Sequence, residues 1–437
     1  MANKSIGIGL LGLGVVSGQV AKVLAEKSAL LEENAGCPIV LRKVKVLPSD
    51  LERPQAKNMP GSLLTTSDDD FFNTPGIDII VEAIGGENPA TEYIQRALSS
   101  GRHVVTSNKE VIAKHGVELL NLAQQHKVSV QYEASAGAGF PLIAPLKHDL
   151  IANTITGIFA IINGTTNYIL TRMAHEGADF ATVLKQAQKL GYAEANPAND
   201  VEGVDSKYKL AIMATLGFHT NVRPEDIYTE GITRLSPRDF RYAHELGFTI
   251  KLLAIAKLHE KAVEVRVHPV FIPEESILAN VDGVYNAVQV EGDLMGRVMF
   301  MGQGAGALAT SSSVVADIIC CARKIVLGIG SISVWKEDKG KVIRSIEEIV
   351  SRYYIRLTAQ DRPGVLAAIA TVFGDNKISI ASAIQPEVDE KTKAAEIVIM
   401  THPAQEKSMR KALRQLENLE VVKEINNTIR VEEIEGT

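Results

Sequence analysis

Cysteine and aromatic residues are scarce in this sequence, and it has neither a net positive charge nor long apolar runs. The three cysteines, Cys37, Cys320 and Cys321, form no Cys-x-x-Cys spacing, and the neighbouring pair cannot easily form an unstrained disulfide, so we expect a reducing cytoplasm. Aromatic residues make up 5% and the formal net charge is -6, which argues against a base-stacking surface and a basic field for nucleic acid. No apolar run reaches the ~20 residues of a bilayer span, and the N-terminus shows no export signal. We therefore expect a soluble protein with neither nucleic-acid nor membrane partners.

The length of 437 residues exceeds what one hydrophobic core usually organises, which predicts two or three domains. Residues 5 to about 150 alternate short apolar runs with amphipathic stretches, a pattern typical of a parallel sheet covered by helices. From about 150 to 320 the strand and helix patterns are mixed, as in an α+β domain. A charged stretch at 334–352 indicates a boundary, and from Tyr353 the patterns follow the order βαββαβ.

Gly12-x-Gly14 lies between an apolar strand pattern and an amphipathic helix pattern. Backbone amides in such a turn can approach a pyrophosphate, and the helix N-terminus stabilises its charge. Ser17 stands where the third glycine of this fingerprint is usual, and an ordinary tight turn is the alternative. The charged residues near the end of the second strand are Lys45, Asp50 and Arg53. Because both signs of charge occur there, NAD and NADP stay open.

The segment TSNKEVIAKHG places Asn108 and Lys109 at the end of a predicted strand. Open α/β sheets bind their ligands at this edge, so the Lys109 ammonium is a candidate contact for cofactor or substrate. A solvated lysine that opens the next helix is the alternative, and position alone does not decide between them.

The acidic segment, residues 194–205, precedes a helical pattern in which Asp205 and Lys209 are four residues apart. This spacing places both side chains on one helix face, where they can meet the same ligand or form a simple surface ion pair. Glu194, Asp200 and Glu202 also lie in this short segment. Crowded carboxylates oppose one another's ionisation, so the cluster favours a cationic ligand group such as the α-ammonium of an amino acid.

Two further glycine-rich stretches, EASAGAGFP at 133–141 and GQGAGALATSSSVVADI at 302–318, allow close approach of backbone to a ligand. Either can also be a packing or turn element. The first follows an apolar strand, and Glu133 together with successive carbonyl groups could present only oxygen to a hard cation. Spacing alone does not establish a metal there.

Taken together, these segments resemble homoserine dehydrogenase. The shared motifs are GLGVVSG at 12–18, TSNKEVIA at 106–113, EASAGAGFP, NGTTNYIL at 163–170, the Asp205/Lys209 stretch and GQGAGALATSSSVV, in the family's order across about 320 residues. The resemblance implies reversible, NADPH- or NADH-dependent reduction of L-aspartate 4-semialdehyde to L-homoserine, in the pathway toward threonine, methionine and isoleucine. Another dehydrogenase of amino acids or hydroxy acids, or a non-catalytic sensor of nicotinamide and amino acid, is the alternative.

The resemblance also implies roles for individual residues. Lys209 matches the proton donor, Asp205 and Glu194 the substrate-binding acids, and Lys109 a residue beside nicotinamide and substrate. The implied cofactor-binding residues are Gly12, Leu13, Gly14, Val15, Val16, Lys109, Gly191 and Gly306. The implied sodium site consists of Glu133 with Ala136, Ala138 and Phe140. Ser17, Ala136 and Ala309 depart from the family's usual residues, but none of them replaces a reacting group.

The C-terminal part resembles an ACT domain, because DRPGVLAAIA at 361–370 matches that family's first strand-to-helix turn. Together the two resemblances predict an α/β chain with a Rossmann-type domain over 1–135, an α+β substrate and dimerisation domain over 136–325, and a ferredoxin-like ACT domain over 352–437. Residues 302–335 are expected to return to the nucleotide domain. ACT domains commonly pair and bind amino acids, which implies a homodimer or homotetramer and feedback inhibition by threonine. A purely dimerising role is the alternative.

Overall fold

The computed structural model describes residues 5–329, 337–389 and 394–434, and the side chains of 386–389 are not described. The predicted boundary near residue 335 lies outside these ranges, as do the first and last residues of the predicted end domains. The strands are β1 Ile6–Leu11, β2 Ile39–Lys45, β3 Leu64–Thr65, β4 Ile79–Glu82, β5 His103–Thr106, β6 Val130–Gln131, β7 Ile155–Ile161, β8 Tyr228–Thr229, β9 Phe248–His259, β10 Ala262–Pro273, β11 Tyr285–Gly292, β12 Gly296–Gln303, β13 Val342–Ile343, β14 Val350–Gln360, β15 Ile380–Asp389, β16 Ala394–Thr401, β17 Ala404–Gln405 and β18 Val422–Val431. The helices are α1 Val15–Glu26, α2 Ser28–Ala35, α3 Pro54–Lys57, α4 Asp68–Asn73, α5 Ala90–Ser99, α6 Lys109–Gln125, α7 Gly164–Glu176, α8 Phe180–Lys189, α9 Ala198–Val201, α10 Val204–Phe218, α11 Pro237–Glu245, α12 Ala307–Val326, α13 Val365–Asp375 and α14 Glu406–Glu417.

The chain forms two compact units. The first unit comprises residues 1–155, 208–224 and 291–339, and the second comprises 156–207, 225–290 and 340–437. Helix α10 begins with residues counted in the second unit and continues in the first. Across the described ranges, every helix is too short or too polar to cross a membrane.

The first unit contains a six-stranded sheet with the order β3-β2-β1-β4-β5-β6, and all neighbouring strands are parallel. Every residue of β1 is buried, as expected for a parallel strand with helices on both faces. Helix α12 contributes Val314, Ile318 and Cys321 to the same core. The strand order reverses between β1 and β4, and this reversal opens a crevice beyond the carboxyl ends of the strands.

The second unit contains a mixed sheet with the order β11-β7-β9-β10-β18-β14-β16-β15. Its C-terminal part follows the predicted order βαββαβ, with α13 and α14 packed on the sheet around Ile369, Phe373 and Leu416. Strand β18 joins this part to the rest of the unit, because Val270 and Phe271 of β10 pair in parallel with Arg430 and Val431. The parallel six-stranded sheet, the mixed second sheet and the C-terminal domain confirm the predicted α/β class.

Charged side chains are buried where the C-terminal strands meet the remainder of the second unit. We call them the polar seam: Asp239, Glu264, Arg266, Arg356, Glu396, Glu406, Arg430 and Glu432, each at most 6% exposed. Arg266 donates to Glu432 at 2.6 Å and Arg356 donates to Asp239 at 2.8 Å. Burial opposes ionisation, but the Arg430 guanidinium lowers the pKa of the Glu406 carboxyl to about 2. The polar seam is therefore a network of ion pairs. The charged residues of the C-terminal strands and those of the rest of the unit compensate one another's burial.

Candidate active site

The turn after β1 provides an open backbone cradle in the first unit. Gly12 adopts φ +88°, and a Cβ there would lie 2.6 Å from Cγ2 of Ile84, so the fold requires glycine at this position. A Cβ at Gly14 would meet nothing within 4 Å, and Gly14 is the residue that precedes α1. Val15 is 71% exposed. Exposed amides at the start of a 12-residue helix fit the pyrophosphate of a dinucleotide.

The remaining residues of the predicted fingerprint lie in the same turn and helix. Leu13 is buried, and Val16 is half-buried. Ser17 is fully buried, and its hydroxyl has no hydrogen-bond partner among the described residues. The helix therefore packs on the sheet despite the missing third glycine, at the cost of an unsatisfied hydroxyl.

A buried carboxyl group organises the next loop of this sheet edge. Glu82, the last residue of β4, is fully buried, accepts a hydrogen bond from the Ile84 amide at 2.8 Å and accepts one from the Thr106 hydroxyl at 2.5 Å. Burial raises the pKa of the Glu82 carboxyl, whereas the Thr106 and Ile84 bonds oppose that rise. Sequence reasoning missed this group, although an acid that ends a buried parallel strand is a usable signal.

The same network fixes the start of α6, where the predicted residue Lys109 lies. Thr106 accepts from the Asn108 amide at 2.9 Å, while the Asn108 side chain donates to the Gly86 carbonyl at 2.7 Å and caps the helix through the Val111 amide. Lys109 is the first helical residue and is half-buried. The loop after β4 and the helix that begins at Lys109 are thus held as one structure.

Helices α6 and α10 pack together within the first unit. The Tyr208 hydroxyl donates to Glu110 at 3.4 Å, which joins the residue after Lys109 to the residue before Lys209. Lys209 is 8% exposed. A lysine so deeply buried is rare on a simple helix surface, so the surface ion-pair alternative loses its basis.

In the second unit, one amide group holds two carboxylates of the acidic segment together. Asn163 Nδ2 donates to Asp200 Oδ1 at 2.7 Å and to Asp205 Oδ2 at 2.9 Å. Its Oδ1 accepts from the Thr166 amide at 2.8 Å and caps α7. Two carboxylates held side by side by one amide are an arrangement that suits a cationic group. Sequence reasoning noted the NGTTNYIL motif but assigned no role to Asn163.

Other predicted residues occupy exposed turns. Glu194 is exposed, and its carbonyl accepts from the Gln188 side chain at 3.1 Å. Gly191, in the second unit, and Gly306, in the first, adopt φ of +78° and +123°, which only glycine tolerates well. Gly306 immediately precedes α12. The structure describes each of these turns within its own unit, so their shared role remains a prediction.

Comparison with known proteins decides the family. Family profiles match the NAD binding domain of homoserine dehydrogenase over residues 12–133, homoserine dehydrogenase over 141–319 and the ACT domain over 353–421. The homoserine dehydrogenase of Neisseria gonorrhoeae is 40% identical over an alignment of 437 positions, which covers 99% of this chain and 99% of that protein. The chain belongs to the homoserine dehydrogenase family.

Solved structures of homoserine dehydrogenases agree with this assignment. The Thiobacillus denitrificans enzyme has a TM-score of 0.91 and 41% identity, and the match covers 98% of this chain and 99% of that chain. A hyperthermophilic archaeal homoserine dehydrogenase in complex with NADPH has a TM-score of 0.62 and 26% identity, over 74% of this chain and 98% of that chain. The enzyme is thus an NAD(P)-dependent oxidoreductase of amino-acid biosynthesis with a C-terminal ACT domain, which excludes the non-catalytic alternative.

The predicted sodium site of this homoserine dehydrogenase receives no support from the Glu133 carboxylate. That carboxylate accepts hydrogen bonds from the backbone amides of Leu142, Ile143 and Ala144, so its oxygens are engaged by the turn itself. The Ser313 hydroxyl donates to the carbonyl of Ala138. Ala136 and Phe140 are buried. Within the described ranges, no group of three or more His, Cys, Asp or Glu side chains could hold a metal ion.

Proposed function

We propose that the enzyme reduces L-aspartate 4-semialdehyde to L-homoserine, reversibly, with Lys209 as the proton donor. The observation that carries this proposal is the Asn163 amide, which holds the carboxylates of Asp200 and Asp205 together. Asp205 lies one helical turn before Lys209 on α10. A substrate that is both an aldehyde and an α-ammonium compound needs a cationic donor near one end and carboxylates near the other.

The chain's own residues then divide the work. The carboxylates of Asp205, Asp200 and Glu194 bind the α-ammonium group of the substrate. The Lys209 ammonium stabilises the negative charge that develops on the aldehyde oxygen, and then delivers a proton to it. Its burial strengthens that charge interaction, because little water competes for the ammonium.

For the cofactor, we propose that the turn from Gly12 to Val16 binds the pyrophosphate and that Lys109, Gly191 and Gly306 line the rest of its site. The open space at Gly14 and the helix start at Val15 support this role. When bound, the nicotinamide cofactor supplies the hydride. The structure of the archaeal relative in complex with NADPH supports NADPH as a cofactor of this enzyme.

We also propose that threonine regulates the enzyme through the ACT domain and that the chain forms a homodimer or homotetramer. The polar seam supports regulation, because it connects the C-terminal domain to the rest of the unit, which also carries the acidic segment. The division into nucleotide, substrate and ACT domains belongs to the same proposal.

A matched pair of lysine variants tests the mechanism. Lys209→Ala should lower kcat by at least about a hundredfold while NADPH binding stays close to normal, because it removes only the proton donor. Lys207→Ala is the control, since it lies two residues away on the same helix and so points to another side. Equal rates for the two variants would refute the role of Lys209. Initial rates with NADPH and NADH, each with and without threonine, test the cofactor and the effector.

A further inference from the structure

The main chain from Thr229 to Ile232 lies directly against the acidic segment. The Ile232 amide donates to the Val201 carbonyl at 2.8 Å. A Cβ added to Gly231 would lie 2.4 Å from the Val201 carbonyl oxygen and 2.7 Å from Cα of Glu202. Backbone atoms at such distances cannot move aside cheaply, so the absence of a side chain at Gly231 sets the position of this part of the acidic segment.

Gly203 makes the reciprocal contact. It adopts φ +81°, and a Cβ there would lie 3.0 Å from Cγ2 of Thr229 and 3.3 Å from Cγ1 of Val267. The Glu230 amide donates to the Val267 carbonyl at 2.8 Å, which ties this contact to β10. Two residues after Gly203 comes Asp205, the carboxylate held by Asn163. Any shift of the 229–232 main chain therefore reaches Asp205 over a few residues.

The main chain of Glu230 lies near the acidic segment, whereas its side chain contacts the C-terminal domain. Arg430 on β18 donates to Glu230 Oε2 at 3.1 Å and to Oε1 at 3.2 Å, and the Tyr228 hydroxyl donates to the same carboxylate. Arg430 is 5% exposed and also donates to Glu406, the first residue of α14, at 2.6 Å. A bidentate guanidinium with a second buried carboxylate has one favourable orientation, so Glu230 is held firmly.

We propose that Glu230 and Gly231 are positioning residues, which fix the acidic segment relative to the C-terminal domain through Arg430. The inference rests on the proposed role of Asp205 in substrate binding and names the contact that sets its position. Their effect on the substrate is exerted through Asp205. A change in the C-terminal domain that moves Arg430 moves the 229–232 main chain, and with it the carboxylates that bind the α-ammonium group.

A pair of glycine variants tests the steric part. Gly231→Ala should raise KM for aspartate 4-semialdehyde by about tenfold to a hundredfold and leave KM for NADPH within about twofold, because only the substrate acids shift. Gly374→Ala is the control, since a Cβ there meets nothing within 4 Å and the glycine lies in the C-terminal domain. An unchanged substrate KM in a folded Gly231→Ala enzyme would overturn the proposal, as would an equal rise in both KM values.

A pair of charge variants tests the link to Arg430 even where Gly231→Ala fails to fold. Glu230→Gln removes a charge from its pair with Arg430, and Glu433→Gln does the same to the Arg352 pair, which makes no contact with the acidic segment. We expect a threefold to tenfold rise in substrate KM for Glu230→Gln only, because the neutral amide keeps a contact with Arg430 but loses the attraction between the two charges. Equal KM values in the two variants would overturn the link.

Asp205→Asn separates this inference from the proposed function. If Asp205→Asn leaves substrate KM unchanged, the assigned role of the acid fails. If Asp205→Asn raises substrate KM but Gly231→Ala and Glu230→Gln do not, the acid binds substrate and the positioning role alone is refuted. A rise in all three variants, with Glu230→Asp restored toward the parent, supports both.

Discussion

Replacement of Asn163 by aspartate changes one atom of the acidic site and predicts a large, pH-dependent loss of activity. The cap on α7 survives, because an oxygen still faces the Thr166 amide. The donor at 2.7 Å from Asp200 and 2.9 Å from Asp205 becomes a third acidic oxygen. Two bonds to carboxylates, worth about 1.5–3 kcal/mol each, are lost. The alternative, uptake of one proton near pH 8 by a group with an ordinary pKa of about 3.9, costs up to about 5.6 kcal/mol.

The variant takes whichever of these two routes costs less free energy. The arrangement of the acids that binds substrate is therefore destabilised by roughly 3–5 kcal/mol, and kcat/KM falls by about a hundredfold to several thousandfold near pH 8. Three adjacent carboxyl groups raise the pKa of one of them, and that proton is bound at low pH and lost as pH rises. The ratio of variant to parent kcat/KM should therefore increase as pH falls from about 8 to about 6, by up to about tenfold per pH unit.

The assay is the initial rate of aspartate 4-semialdehyde reduction with NADPH for both proteins at each pH. Asn34→Asp is the control, since Asn34 is an exposed residue of α2 whose side-chain amide donates to the Leu30 carbonyl, and its replacement adds the same charge. A variant that keeps the parent's kcat/KM near pH 8, or a ratio that rises with pH, would show that Asn163 does not bridge the two acids.

Two further predictions concern buried polar groups. Thr106→Val should raise KM for NADPH by about tenfold with a smaller change in kcat, because Glu82 and the Asn108 amide lose a shared hydrogen-bond partner worth ~1–3 kcal/mol. Steady-state kinetics measure both constants, and an unchanged KM for NADPH would contradict the prediction. Arg356→Met should destabilise the enzyme by about 3–5 kcal/mol, since it leaves the fully buried Asp239 without its ion pair. The control Arg352→Met removes a more exposed ion pair with Glu433 and should cost about 0–1 kcal/mol. Thermal melting compares the two variants, and equal melting temperatures would refute this prediction.

Periodicity predicted the regular elements well because those elements bury one face or both. The alternation of β1 with α1 and the βαββαβ order of the C-terminal elements, apart from the two-residue strand β17, both follow from spacing that the printed sequence shows. The elements between β2 and β4 are harder to predict, because they are short, down to the four residues of α3, and so carry little periodicity.

The polar seam could not be predicted from the sequence, for a different reason. In β10, Glu264, Arg266 and His268 alternate with apolar residues, a pattern that normally assigns them to a solvated face. All three are at most 5% exposed, since residues about 160 positions later cover them. The Asn163 bridge is similar: the residue type signals a helix cap, but nothing local reveals the two carboxylates that it joins.

The seam and β18 also predict that the C-terminal domain cannot simply be removed. Phe271 of β10 is fully buried and stacks on Tyr354 of β14 with ring centroids 4.6 Å apart, and β18 pairs with Val270 and Phe271. Removal of residues 350–437 would expose this aromatic surface together with unpaired backbone groups, which is a template for association between chains.

We therefore expect a chain that ends at Ile349 to aggregate and to melt at lower temperature than the full chain, although a shorter archaeal relative matches only 74% of this chain. The decisive variant is Phe271→Lys in the truncated chain, because a charge at the exposed strand blocks association. Size-exclusion chromatography should show truncated chains in the void volume and the Phe271→Lys chain as a defined species. If the truncated chain is already a defined species with the parent's melting temperature, then β18 and the polar seam only attach the domain, and they add nothing to the stability of the rest of the unit.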